Sequence, residues 1–122
     1  MKIGNKKSKI IVSCFYCQPW RNKNNYLNHI EEVLERNGDL PQLVAGDFNI
    51  DLLLDELVLR KKLENMMAAH FLSLISLREA TRETETSSNC IDAIFGNVAL
   101  LNSTIEKTSF SDHYSLHLKL DL

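Results

Sequence analysis

The sequence predicts a layered α/β or α+β domain, and three observations carry that expectation. A β-branched and aromatic run near the start is followed by an amphipathic helical pattern. A second short apolar run ends abruptly in Gly46-Asp47-Phe48-Asn49. The end of the chain alternates Leu with Ser, His and Lys, the period-two signature of a half-buried strand. Strand and helix therefore alternate early and strands dominate late, which calls for sheet and helix layers around one core.

Residues 9–16 read as the first strand, bounded by Pro19. Residues 22–25 read as a polar loop. Leu27, Ile30, Val33 and Leu34 then share one helical face, with Glu31, Glu32 and Glu35 largely off it. Asn37-Gly38-Asp39 stops that helix. Residues 40–45 form a short buried strand. Asp55 is a suitable N-cap for a helix over 56–69. Residues 71–77 turn β-like, 78–89 form a polar loop, and 90–95 are apolar apart from Asp92. Gly96-Asn97 marks a turn, and 115–120 form the closing strand.

At 122 residues the chain suits one domain, since domains commonly run roughly 100–150 residues. Such a length buries about two-thirds of the unfolded surface, so no disulfide is needed for a core. Four Gly and two Pro exclude collagen-like and mucin-like chains. A net charge of −2 with 44% hydrophobic residues argues against disorder and gives no global attraction to nucleic acid. Cys14, Cys17 and Cys90 are odd in number, against a secreted disulfide framework. The C-x-x-C has no second pair, and on a strand its thiols would face opposite ways, so packing is their expected role. No apolar stretch reaches the roughly 18 residues needed to span a bilayer. The lysines ahead of residue 10 only faintly suggest a signal peptide, without a clear cleavage site. The expectation is an intracellular protein, nuclear or cytoplasmic, without a membrane partner.

Three polar clusters interrupt apolar runs at strand ends. In Gly46-Asp47-Phe48-Asn49, the acid follows a hydrophobic strand and needs a partner, water or a metal. Gly46 permits a sharp turn or a close ligand, although Asp and Asn also favour plain turns. Asp92 lies inside an apolar strand, where an acid is costly unless paired or facing water at an edge. Ser111-Asp112-His113 offers an imidazole for acid–base work or phosphate contact, or a surface capping loop. Asp92, from a neighbouring strand, is better placed than Asp112 to orient His113. Arg60-Lys61-Lys62 fits a solvated helix face better than a phosphate patch. His29, His70 and His117 show no metal spacing. Met66-Met67 and Trp20 read as packing residues.

Taken in order, the clusters resemble the endonuclease/exonuclease/phosphatase superfamily, and within it the apurinic-type endonuclease domains of non-LTR retrotransposons. The resemblance starts at Phe15-Tyr16-Cys17-Gln18-Pro19, similar to the family's Tyr-x-x-Pro strand end. It continues through Gly46-Asp47-Phe48-Asn49 and Thr81-Arg82, then Ile91-Asp92-Ala93-Ile94-Phe95-Gly96-Asn97, and ends at Ser111-Asp112-His113. It covers nearly the whole chain, and the Thr-Arg ahead of Ile-Asp-x-Ile-Phe-x-Asn favours the retrotransposon branch over the phosphatases.

The resemblance implies a metal-dependent hydrolase of DNA phosphodiesters that uses magnesium (or manganese) and no small-molecule cofactor. By that likeness, Asp47 would orient or deprotonate the attacking water and Asn49 would hold the phosphate and place the nucleophile. His113 would donate to a phosphate oxygen, Asp92 would support its imidazole, Tyr16 would hydrogen-bond the phosphate, and Asp112 would lie near the metal. These roles suit a reaction governed by positioning and charge stabilisation. The implied fold is a four-layer, two-sheet β-sandwich flanked by helices. In the family, a strand-end Asn and a metal-binding Glu precede the Tyr-x-x-Pro strand, whereas only eight residues precede it here. The expectation is a partial domain over 1–122, truncated at the N-terminus, with a disordered basic leader at 1–8. Glu31, Glu32 and Glu35 are poor substitutes for the metal-binding Glu. Activity would then be impaired or lost, and open strand edges would favour aggregation unless the missing half or another partner covers them. The alternatives are a non-catalytic remnant or nucleic-acid-binding module, and a phosphomonoesterase of the same superfamily.

Overall fold

The computed structural model describes residues 9–54 and 58–121. The expected basic leader and the Asp55 cap lie outside the described residues. The fold is mixed α+β, and the described residues form a four-stranded sheet, two helices and two smaller two-stranded ladders.

The first strand, β1 (Ile11–Tyr16), alternates in burial. Its Val12, Cys14 and Tyr16 are exposed, while Phe15 packs on the core. Helix α1 (Lys23–Asn37) begins earlier than the apolar periodicity suggested, because the Asn22 side chain accepts the Asn25 N–H and caps it. The expected polar loop at 22–25 is therefore mostly helix. Tyr26, Leu27, Ile30 and Leu34 form the buried stripe. Gly38, at φ 62°, ends the helix in a conformation a side chain would resist.

Strand β2 (Gln42–Asp47) pairs parallel with β1. Asp47 thus belongs to the strand, and Gly46 is not a turn residue. A Cβ on Gly46 would lie 2.1 Å from the Phe15 carbonyl oxygen, so its bare backbone permits the close approach of β1. The sharp change of direction comes afterwards, at Asn49, with φ 49°.

Helix α2 (Val58–Ala69) buries Leu63 and Met67, with Met66 packed against the same core. The methionines are core filler, as their helical position suggested. The helix closes with Phe71 N–H to the Ala68 carbonyl and Leu72 N–H to the Met67 carbonyl, placing Phe71 at φ 63°. That closure shortens the β-like run expected over 71–77 to β3 (Ser73–Leu74).

The loop expected over 78–89 contains a small ladder, β4 (Arg82–Glu83) against β5 (Ser88–Asn89). Strand β6 (Asp92–Gly96) is antiparallel to both β2 and β3, giving the order β1-β2-β6-β3. Strand β7 (Ala99–Glu106) was not foreseen. It pairs with β8 (Ser115–Asp121), with an irregularity between Leu100 and Asn102. In β8, partly buried Leu116, Leu118 and Leu120 alternate with exposed His117, Lys119 and Asp121.

The helices pack on one face of the large sheet. Val44, Ala93, Phe95 and Phe15 meet the α1 and α2 stripes there. Phe48 and Phe95 pack edge to face, 5.8 Å apart, locking the segment that follows β2. Cys17 and Cys90 are buried thiols and Cys14 is exposed. Burial, with Asp51 nearby, pushes the Cys90 thiol up to about 11, as suits a packing role. Trp20 does not pack beside Pro19, being 78% exposed. Among the described residues, no helix is long and apolar enough to cross a membrane.

Candidate active site

The register of the large sheet brings the sequence clusters together. Tyr16 stands opposite Asp47, and Asp47 opposite Asp92, across β1, β2 and β6. Paired residues share a face. That face is the one turned away from Val44 and Phe95, and so away from the helix-covered core.

His113 arrives from the segment before β8. Its Nδ1 lies 2.8 Å from Asp92 Oδ2, and its Nε2 lies 3.9 Å from Asp47 Oδ2. The first distance is a hydrogen bond that fixes the ring. The second is too long for one, so Nε2 and the Asp47 carboxylate face a shared space. The expected pairing of His113 with Asp92, rather than with its neighbour Asp112, is what the geometry displays.

Asp47 is tied at both ends. Its Oδ1 accepts the Asn49 N–H at 3.1 Å, and its carbonyl accepts the Cys17 N–H at 2.9 Å. Asn49 donates through Nδ2 to the Cys17 carbonyl, bracing the end of β1 against the end of β2. Burial and the adjacent Asp92 carboxylate push the Asp47 carboxyl above its usual range, against smaller opposing effects from Asn49, His113 and Arg82. Two acids and an imidazole each offer a ligand atom within 4.8 Å of the others. A cation between Asp47 and Asp92 would relieve that repulsion, and carboxylate oxygens suit a hard divalent ion.

Tyr16 ends β1 with its side chain largely exposed beside Asp47. Asp112 stands apart from the trio. Its Oδ2 pairs with Arg82 Nε at 2.8 Å, and its carbonyl accepts the Glu83 N–H.

The residue pattern gave no role to Thr81, which is fully buried. Its Oγ1 accepts the N–H groups of both Ile91 and Asp92, at 3.2 and 3.0 Å. Its N–H donates to the Asn89 carbonyl, and its own carbonyl accepts the Tyr114 N–H. Thr81 thus fastens the Asp92 strand to the His113 segment, and Arg82 adds the side-chain tie to Asp112. The available signal was the Thr-Arg dipeptide itself, set in a stretch whose polarity reads as loop. Asn97 has a similar structural part, since its Oδ1 accepts the Gln42 N–H at 2.7 Å and secures the start of β2.

The family model described as endonuclease-reverse transcriptase matches residues 10–117. No curated protein matches the sequence. Among solved structures, the chain is similar to the endonuclease domain of TRAS1, a telomere-specific non-LTR retrotransposon, with TM-score 0.76 and 16% identity. That match covers 88% of this chain and 56% of the other. A mannosyl-6-phosphatase of Bacteroides thetaiotaomicron gives TM-score 0.54 at 15% identity, covering 89% of this chain and 50% of that one. An endonuclease/exonuclease/phosphatase family protein from the same bacterium gives 0.53 at 16%, covering 89% and 49%. The chain therefore spans about half the length of the structures it matches, and at such identities the likeness shows the fold. With the family model running through β1, β2, β6 and the His113 segment, the chain belongs to the endonuclease-reverse transcriptase family.

Proposed function

We propose that this chain carries a phosphodiester-hydrolysing site of the retrotransposon endonuclease type, with DNA as substrate. The observation that supports it most is the Asp92–His113–Asp47 line, in which one acid orients the ring and the ring's other nitrogen faces a second acid. In this reading Asp47 takes the proton of the attacking water, as the carboxylate that faces His113 Nε2 across the site. His113 Nε2 donates toward a phosphate oxygen as charge builds, while Asp92 holds the imidazole in place. Asn49 and Tyr16 contact the phosphate from the ends of β2 and β1. Asp112 would reach a cation only after releasing Arg82.

Asp47 and Asp92 are the oxygen donors that would hold magnesium or manganese, with His113 at their side. The bound ion would supply charge neutralisation at the phosphate.

Nicking of supercoiled plasmid with magnesium or manganese, and with EDTA, tests the reading. Asp47→Ala and His113→Ala should each lower the rate about 100-fold or more. Nicking that survives either substitution, or that ignores EDTA, overturns the assignment. The phosphatase neighbours favour one rival, a phosphomonoesterase, which turnover of a small sugar phosphate in place of plasmid would establish. The other rival is a module that binds nucleic acid without cutting it, which oligonucleotide binding in the absence of nicking would establish.

A further inference from the structure

Two aromatic rings stand out on the loops that flank this site. Trp20 is 78% exposed and Phe110 is 87% exposed. Trp20 follows the end of β1 that carries Tyr16, and Phe110 precedes the Ser111-Asp112-His113 segment. Both rings therefore belong to loops at the sheet end where Asp47, Asp92 and His113 meet.

Neither ring sits on a loose tether. The turn bearing Trp20 is closed by the Arg21 N–H on the Gln18 carbonyl. Lys23 Nζ also braces the Gln18 and Pro19 carbonyls. The loop bearing Phe110 is pinned by Thr108 Oγ1, which donates to the Ser111 and His113 carbonyls. The Ser111 Oγ also accepts the His113 N–H. What sets these two rings apart from other exposed side chains such as Phe71 is their position, on braced turns that flank the Asp47, Asp92 and His113 end of the sheet. Cations accompany them. Arg21 is exposed beside Trp20, and Lys107, largely exposed with its Nζ 5.7 Å from the Tyr114 ring centre and 4.0 Å from Glu83 Oε1, begins the Phe110 loop. Separate aromatic tips with neighbouring positive charge suit nucleic acid, whose bases stack while its phosphates pair. A protein partner would favour one continuous apolar patch instead.

We propose that Trp20 and Phe110 are stacking platforms for unpaired or splayed bases on either side of the phosphate held at the site. The inference rests on the hydrolytic reading above for the placement of that phosphate, and it names the substrate class as polynucleotide with accessible base faces. A small phosphate ester has no base to stack.

Trp20 is the chain's single tryptophan, so its emission reports the contact directly. The chain, in EDTA, is titrated with single-stranded oligothymidylate, a blunt duplex and inorganic phosphate. Saturable quenching by the single strand, weaker quenching by the duplex and none by phosphate are expected. Fluorescein anisotropy then reads the variants. Trp20→Ala and Phe110→Ala should each weaken single-strand binding about ten-fold, and Trp20→Phe should retain most of it. Both rings are exposed, so unchanged circular dichroism should accompany the loss. Equal binding by parent and alanine variants overturns the proposal, as does the absence of binding. Equal quenching by phosphate, or quenching by raising the protein concentration alone, also overturns it. Plasmid nicking is read in parallel. Ring-dependent binding without nicking removes the hydrolytic reading and keeps the platforms. Nicking without ring dependence does the reverse.

Discussion

Asp47 shows most clearly how one half-buried acid works against the stability of the fold. Its carboxyl is raised by burial and by Asp92, so the charged form costs the folded chain stability. For an acid raised in this way, the native state is favoured below the unfolded value, near 3.8, and that advantage is lost as pH rises through the folded value. Asp47→Asn keeps an oxygen for the Asn49 N–H and removes the charge. It should melt at a higher temperature than the parent at pH 7, and the gain should shrink toward pH 4 and vanish below it. Thermal melts of both proteins across that range check the sign. A gain that grows with acidity would contradict the assigned cause. Metal-free buffer is needed, because a cation at the carboxylates would restore the charged form.

At the scale of elements, two features invite substitution. Phe71 ends α2 at φ 63°, where a side chain with a Cβ is strained and a glycine is at home. Phe71→Gly should stabilise the chain by about 1 kcal/mol, read as a higher urea midpoint at unchanged slope. It also removes a ring that is 82% exposed, so no packing is lost. Thr81 is the opposite case. Thr81→Val keeps the shape and removes the oxygen that accepts two N–H groups. Stranding those donors should cost about 2–4 kcal/mol, whereas Thr81→Ser should cost far less. Urea unfolding of the three proteins decides it.

These elements also show what the residues disclosed and what they hid. The stripe Leu27, Ile30 and Leu34 announced α1, and the alternation of Leu116, Leu118 and Leu120 announced β8, because both bury one face at a regular period. The acids Asp47 and Asp92 were legible because each interrupts an apolar strand. Strand β7 was not, since Asn102, Ser103 and Thr104 carry no apolar alternation and gain their strand form from pairing with β8. Gly46 was misjudged for a related reason. Its need is the neighbouring strand's backbone, which local sequence does not reveal.

On the scale of the whole molecule, the large sheet is covered by helices on one side and ends in β1 at one edge among the described residues. Val12 and Tyr16 on β1, with Leu101 on β7, are exposed apolar side chains of the kind that recruits other chains. Replacing Val12 and Leu101 by Lys should lower aggregation on heating and leave secondary structure intact. Light scattering during a thermal ramp, compared with the parent at equal concentration, provides the measurement. An unchanged scattering onset would mean that association runs through another surface.

The stitching of the site by Thr81 has a kinetic consequence. Asp47, Asp92 and His113 lie far apart along the chain, and Thr81 bonds to the segments that carry Asp92 and His113. No local stretch can form the Asp92–His113 hydrogen bond by itself. Chains dominated by such distant pairings fold slowly, on the order of milliseconds to seconds. Helices, whose contacts are local, can form before the three side chains meet, so the grouping of Asp47, Asp92 and His113 depends on the long-range pairing of the whole sheet.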